Sequence, residues 1–195
     1  MKKALNWGVI GLGVGGHHLA ALLEDPNCST VRIWDIDPQR IEKINELYPS
    51  AIGCASEEEI IGNPNVQGVS ICSYDDVHAR QVVHAIESGQ HVFVEKPLCL
   101  EKKELSQISR SLDRHPEVSL SSNMVLRAND LFKKIRDQIW EGQFGNIFSM
   151  EVDYLWGRAE KLRGWRAEVE GYSMVLGAGI HAVDLLLWMM GSMTR

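Results

Sequence analysis

Long hydrophobic runs, paired cysteines and a surplus of positive charge are all missing from this 195-residue chain, and each absence excludes a class of function. The longest strongly apolar stretch, HAVDLLLWMMG from His181, carries Asp184 and is too short to span a bilayer, so no membrane partner is expected. Cys28, Cys54, Cys72 and Cys99 form no CxxC pair and no Cys/His ligand spacing. They read as reduced small hydrophobes in a cytoplasmic protein, with no metal expected. Lys and Arg number 20 against 26 Asp and Glu, a net charge of −6 with both signs scattered, which argues against a nucleic-acid groove or a polybasic patch. The N-terminal MKKALNWGVIGLG is interrupted by glycines and is followed by no small-residue cleavage site, so it reads as a first strand and not a signal peptide. Internal repeats and low-complexity segments are also lacking.

What is present is an alternation of strand-like and helix-like segments, in a chain whose 45% hydrophobic content is enough for a core. LNWGVIG, TVRIWDID, VQGVSICS, HVFVEKP and VSLSSN are rich in β-branched or aromatic residues and read as strands. Between them lie GHHLAALLEDP, PQRIEKINELYP opened by Pro38, a short helix in SEEEIIGNPN with Ser56 as N-cap, DDVHARQVVHAIESGQ and EKKELSQISRSLDRHP. Such repetition predicts an α/β fold, a doubly wound parallel sheet of Rossmann type over residues 1–122. After Asn123 the rhythm changes to an amphipathic helix, NDLFKKIRDQIWEGQFG, and an alternating strand, NIFSMEVDYLWGR. Residues 123–195 are therefore expected to form a second, partial α/β domain with an open antiparallel sheet.

Gly11, Gly13 and Gly16 fit G-x-G-x-x-G, between a predicted strand and a predicted helix. In that setting the first glycine permits a tight turn, the second lets backbone approach a pyrophosphate, and the third lets helix and strand pack closely. The helix N-terminus favours the phosphates. Asp35, at the end of the second predicted strand, is placed to accept the ribose hydroxyls and to repel a phosphate there, which favours NAD over NADP. Arg40 is the counterweight, a nearby cation that can tolerate the extra phosphate. His17 and His18 open the helix, where an imidazole can meet phosphate, although a surface position is the expectation.

HVFVEKPLCL and GIHAVDLLLWMMG, with GVIGLGVGG and DDVHARQVVHAIESGQ, resemble the Gfo/Idh/MocA family, the oxidoreductases named for glucose-fructose oxidoreductase and inositol 2-dehydrogenase. The EKP at Glu95, Lys96 and Pro97, one helix after His78, is the most specific part. The resemblance implies a Rossmann domain, NAD or NADP, and substrates that are mostly sugars, cyclitols or their derivatives. It implies that Ser73, His78, Glu95 and Lys96 lie on the cofactor side and that Lys96 is the catalytic lysine. Independently, a lysine at the carboxyl end of a parallel strand lies where such sheets bind ligands, and its ammonium can exchange a proton with a hydroxyl. A cis bond before Pro97 suits a sharp turn. His181 matches the family's other polar catalytic residue, and a neutral imidazole can accept a hydroxyl proton near neutral pH. Asp184, at i+3, can orient that ring or bind substrate. Arg127, Tyr154, Trp165 and Arg166 are substrate-side candidates, with domain packing and surface ion pairs as their alternative.

Two departures from the family pattern stand out. Gly177 occupies a position where many members have an aspartate, and Ser73, Tyr74 and Asp75 stand where Thr-Pro-Asn is common. The expected activity is NAD(P)-dependent hydride transfer between the nicotinamide and a secondary alcohol or ketone of a sugar-like molecule. A dinucleotide-binding sensor without turnover, or an NAD-recycling glycosidase or lyase, are the alternatives. Family members are usually much longer, so NIFSMEVDYLW is expected to be an unpaired strand in a truncated chain that lacks the C-terminal part, a strand that pairs in a homo-oligomer, or part of a shortened binding module.

Overall fold

The structure, a computed structural model, describes residues 4–155, 157, 163 and 173–191. It divides into two compact units, Met1–Asn123 and Met124–Arg195. In the first, six strands run parallel: β1 (Leu5–Ile10), β2 (Cys28–Trp34), β3 (Ile52–Gly53), β4 (Gly68–Ile71), β5 (His91–Val94) and β6 (Leu120–Ser122), in the order β3-β2-β1-β4-β5-β6. The connecting helices are α1 (Gly15–Glu24), α2 (Pro38–Leu47), α3 (His78–Glu87) and α4 (Lys102–Arg114). The expected doubly wound sheet is therefore observed.

Strand periodicity decides which helix meets which face, because neighbouring strand residues point to opposite sides. Val9, Val31 and Ile33 pack with Leu19, Leu22, Ile41 and Ile44 of α1 and α2. Ile10, Val69, Ile71, Val92 and Val94 pack with Val82, Ala85, Ile86 and Ile108 of α3 and α4. The sheet is covered on both sides, as parallel sheets require.

Local signals set the helix ends. Asp37 caps α2 by accepting from the Gln39 amide at 3.0 Å, with Pro38 at the first helical position. α4 opens on a capping box in which Glu104 accepts the Glu101 amide at 2.9 Å. The SEEEIIGNPN segment forms only a 3-10 turn, Glu57–Glu59, which the Ser56 side chain does not cap. β3 escapes a pattern reading because two residues carry no periodicity.

The second unit contains a 3-10 turn (Val125–Ala128), α5 (Asp130–Trp140), a π-helical turn (Val175–Gly179) and α6 (Ile180–Met190). Asn129 caps α5 through the Leu131 amide at 2.9 Å, and the Trp140 indole N–H donates to the Met189 carbonyl at 3.0 Å. The Arg136 guanidinium lies 4.6 Å above the Trp188 ring and 5.2 Å from that of Trp140, fastening α5 to α6. The strand expected in NIFSMEVDYLWGR is not formed in residues 146–155. An extended segment becomes a strand only by exchanging backbone hydrogen bonds, and no described segment pairs with this one. Phe148 and Leu155 are 100% and 95% exposed, as an unpaired stretch leaves them. The antiparallel sheet expected of this domain is correspondingly absent among the described residues.

Between β1 and β4, Trp7 lies against Gly68 and donates its indole N–H to Ser70 Oγ at 3.0 Å. A Cβ on Gly68 would run into the indole, with Trp7 Cε3 at 2.7 Å. Gly68→Ala is expected to destabilise the fold by about 1–3 kcal/mol, measured as a lower midpoint with an unchanged slope in urea unfolding.

Candidate functional site

The chain leaves β1 toward α1 and β2 on one side and leaves β4 toward α3 and β5 on the other, so the two connections diverge. At such a switch point a crevice opens beyond the carboxyl ends of the strands. Gly11 turns the chain there with φ +85°, and a Cβ on it would collide with the Cys72 carbonyl and lie 2.7 Å from the Ser73 nitrogen. Only glycine satisfies both demands. At Gly13 a Cβ would meet nothing nearer than the Arg40 guanidinium at 3.6 Å, so that stretch of backbone is open to a ligand. The close packing expected of Gly16 belongs instead to Gly15, whose Cβ would lie 2.9 Å from Val9 Cγ1 and 3.2 Å from Cys72 Cβ, whereas at Gly16 the nearest atom is Ile44 Cδ1 at 3.8 Å. Gly15 is the residue directly above β1, and the helix geometry, not the motif spacing, decides which glycine carries that contact. No side chain caps the start of α1, which leaves its first amides as donors for an anion.

Asp35 lies at the carboxyl end of β2 and is 5% exposed. Its Oδ2 accepts the Leu12 amide at 2.6 Å and its Oδ1 the Asp37 amide at 2.9 Å, with Arg40 Nη1 3.7 Å from Oδ2. The carboxylate thus ties the glycine loop to β2, and two of its roughly four acceptor directions remain for other donors. Open glycine backbone, uncapped helix amides and an adjoining carboxylate together suit a dinucleotide.

Glu95, Lys96 and Pro97 follow β5. The Lys96–Pro97 bond is cis, and Lys96 is half-buried. Glu95 is buried and accepts from Asn123 Nδ2 at 2.7 Å, and its Oε1 lies 3.2 Å from His18 Nε2. Burial pushes the Glu95 carboxyl up, but the hydrogen bonds from His18 and Asn123 outweigh it and hold the group below the usual glutamate range. The expected surface position of His18 is corrected: only 11% of its side chain is exposed, and its Nδ1 lies 3.6 Å from Cys72 Sγ. Burial pushes the Cys72 thiol well up, so it stays protonated and packs as a hydrophobe. His17 is exposed, as expected.

His78 is fully buried, 0% exposed, with Nδ1 2.7 Å from the Pro97 carbonyl oxygen and Nε2 3.2 Å from that of Ser73, so the ring lies beneath the two loops. Ser73 donates its hydroxyl to Gln81 Oε1 at 2.5 Å. Gln81 and Asn123 are invisible as site residues in the sequence. A polar residue at i+3 from His78 is the available signal for Gln81.

In the second unit, His181 begins α6 and is 8% exposed, stacked with Tyr154 at a ring distance of 6.1 Å and an interplanar angle of 26°. His181, Leu185 and Met189 form its buried stripe. Asp184 is engaged by Arg127 in a two-pronged pair, Nε to Oδ2 at 2.9 Å and Nη2 to Oδ1 at 2.6 Å. The expected catalytic carboxylate and substrate-binding guanidinium therefore bind each other. Gly177 lies in the π-helical turn, its amide donating to the Ser173 carbonyl at 2.9 Å. Trp165 and Arg166 lie outside the described residues.

Comparison with known proteins agrees with this architecture. Residues 132–195 match the GFO/IDH/MocA C-terminal domain. An oxidoreductase of Synechocystis sp. is 30% identical over 188 residues, 94% of this chain and 50% of that protein. A myo-inositol 2-dehydrogenase of Thermotoga maritima is 29% identical over 74% of this chain and 43% of its own length. Scyllo-inositol dehydrogenase of Lactobacillus casei, solved with NAD(H) and scyllo-inositol, shares the fold with a TM-score of 0.83 at 19% identity, covering 96% of this chain and 56% of that one. The chain thus spans about half the length of the relatives it matches. Residues 5–123, well over half of the sequence, match the oxidoreductase family with an NAD-binding Rossmann fold, and this chain belongs to that Gfo/Idh/MocA family.

Proposed function

We propose that this chain carries the cofactor side, and part of the substrate side, of a dehydrogenase acting on the secondary alcohol or ketone of a sugar, cyclitol or derivative. The observation that carries this reading is the glycine loop at the end of β1, braced by Asp35, with only β4 between it and β5, whose carboxyl end carries Lys96. Relatives named 1,5-anhydro-D-fructose reductase and myo-inositol 2-dehydrogenase support the substrate class.

The open backbone at Gly13 and the first amides of α1 receive the pyrophosphate, and the remaining acceptor directions of Asp35 receive ribose hydroxyls. When bound, the nicotinamide supplies the hydride acceptor. Lys96 Nζ donates a hydrogen bond to the substrate hydroxyl oxygen, which lowers the cost of developing negative charge there. A ring nitrogen of His181 is the acceptor of the hydroxyl proton, so that a substrate oxidised by a bound nicotinamide would leave as a neutral ketone. Position 177 is a glycine and Asp184 is held by Arg127, so the proton role is assigned to the ammonium of Lys96 and the imidazole of His181. The same two features favour a second reading, a dinucleotide-binding protein without turnover.

Titration calorimetry with NADH and NADPH, then absorbance at the nicotinamide band against a panel of sugars and cyclitols, separates the two. Binding with turnover is expected; binding with none across the panel would favour the second reading. Asp35→Ala is expected to weaken NADH binding by at least about tenfold, since a charged acceptor is lost, and to relax discrimination against NADPH. Unchanged affinities would remove Asp35 from the cofactor site. Lys96→Met is expected to keep NADH affinity and lower turnover by about 10²-fold or more, and retained turnover would remove lysine from the mechanism.

Glu95 adds a pH dependence. Its folded-state acidity is raised relative to an ordinary glutamate, so the stability it contributes is present above that group's usual range and is lost as pH falls through its lowered value. Melting temperatures taken in steps through the acid range are expected to fall more steeply for the wild type than for Glu95→Gln. Parallel curves would show that the His18 and Asn123 bonds contribute nothing.

A further inference from the structure

His78 and Gln81 are three residues apart on α3, on one face of the helix, and are 0% and 1% exposed. Burying an imidazole and an amide costs free energy unless their hydrogen-bonding capacity is used. It is used on the two loops that follow β4 and β5 and on the 3-10 turn that precedes β4. Gln81 accepts the Ser73 hydroxyl at 2.5 Å and donates Nε2–H to the buried Glu57 carboxylate at 2.6 Å, whose other oxygen takes the Arg80 guanidinium. His78 stands between the carbonyl oxygens of Ser73 and Pro97.

A neutral imidazole has a single N–H for these two acceptors. The shorter contact, 2.7 Å against 3.2 Å, assigns it to Nδ1 and therefore to Pro97. Lys96 is then bracketed in the chain. On its upstream side, the Glu95 amide donates to the Ile71 carbonyl at 2.8 Å, and the Glu95 carboxylate is held by His18 and Asn123. On its downstream side, the Pro97 carbonyl is held by His78.

We infer that His78 is a positioning residue for Lys96, acting through the Nδ1–H bond to the Pro97 carbonyl. Nε2, left without a proton, gives the Ser73 carbonyl no hydrogen bond, and Ser73 is tethered by Gln81 instead. The inference rests on the catalytic reading of Lys96, which the Lys96→Met turnover assay tests separately.

The two amide side chains that replace histidine divide its roles. The Asn amide nitrogen sits where Nδ1 does, whereas the Gln amide nitrogen reaches to the place of Nε2. His78→Asn therefore keeps the donor to Pro97, and His78→Gln moves it toward Ser73, while both lose the ring. The probe is the Lys96 dimethylamino signal in the 195-residue chain with carbon-13-methylated lysines, assigned with Lys96→Arg and recorded with and without NADH. The signal is expected to shift in His78→Gln and to stay at its wild-type position in His78→Asn. Equal shifts in both variants, or none in either, would overturn the inference, since a purely structural histidine gives no such asymmetry. The wild type supplies an independent measurement if either variant fails to fold: nitrogen-15 spectra of the histidines are expected to show His78 protonated at Nδ1. A ring protonated only at Nε2 would overturn the assignment whatever the variants do. None of these readouts depends on turnover, so they stand apart from the fate of the dehydrogenase reading.

Discussion

A carboxylate withdrawn from water must find donors, and in this protein Asp35 finds them in the glycine loop. Its charge-assisted bond to the Leu12 amide, 2.6 Å long, joins the end of β2 to the turn that leaves β1. That turn is itself pressed against the exit of β4, because Gly11 brings the backbone onto Cys72 and Ser73. Three neighbouring strand ends are thus fixed by one side chain and one missing Cβ. The open backbone at Gly13, on the turn between these strand ends, inherits its placement from those two features.

Beyond that edge, the same logic recurs with other donors. Glu95 is held by His18 and Asn123, Ser73 by Gln81 and the Pro97 carbonyl by His78, so loops without regular structure of their own are ordered by polar side chains. In the second unit the motif is a bidentate ion pair, Arg127 with Asp184, and the guanidinium also lies 5.8 Å above the Trp188 ring. Residues that the pattern offers as free functional groups are in these cases partners of one another.

Reading the chain alone exposes features that depend on local spacing. The glycine turn, the Pro38 start of α2, the apolar faces of the helices and the parallel sheet all follow from periodicity and caps. Features that depend on three-dimensional neighbours are hidden. His18 reads as a surface residue because its partners, Glu95 and Cys72, lie 77 and 54 positions away. Gly15 takes the tight contact expected of Gly16 because the helix places it over Val9. The segment 146–155 has a strand's alternation and no strand's hydrogen bonds, since alternation says which faces differ and not whether a neighbour exists.

The π-helical turn at Val175–Gly179 sets the angular phase between the start of this helical segment and α6. Each residue of an α-helix advances about 100° around the axis, so one extra residue in a turn rotates the preceding segment by roughly that angle relative to the succeeding one. The angle between position 177 and the stripe of His181, Leu185 and Met189 is therefore set by this wider turn. A one-residue deletion in this turn would re-aim whatever side chain occupied position 177 while leaving the buried stripe of α6 in place. The chain can acquire or lose a group beside the histidine by a change of length as readily as by a change of residue.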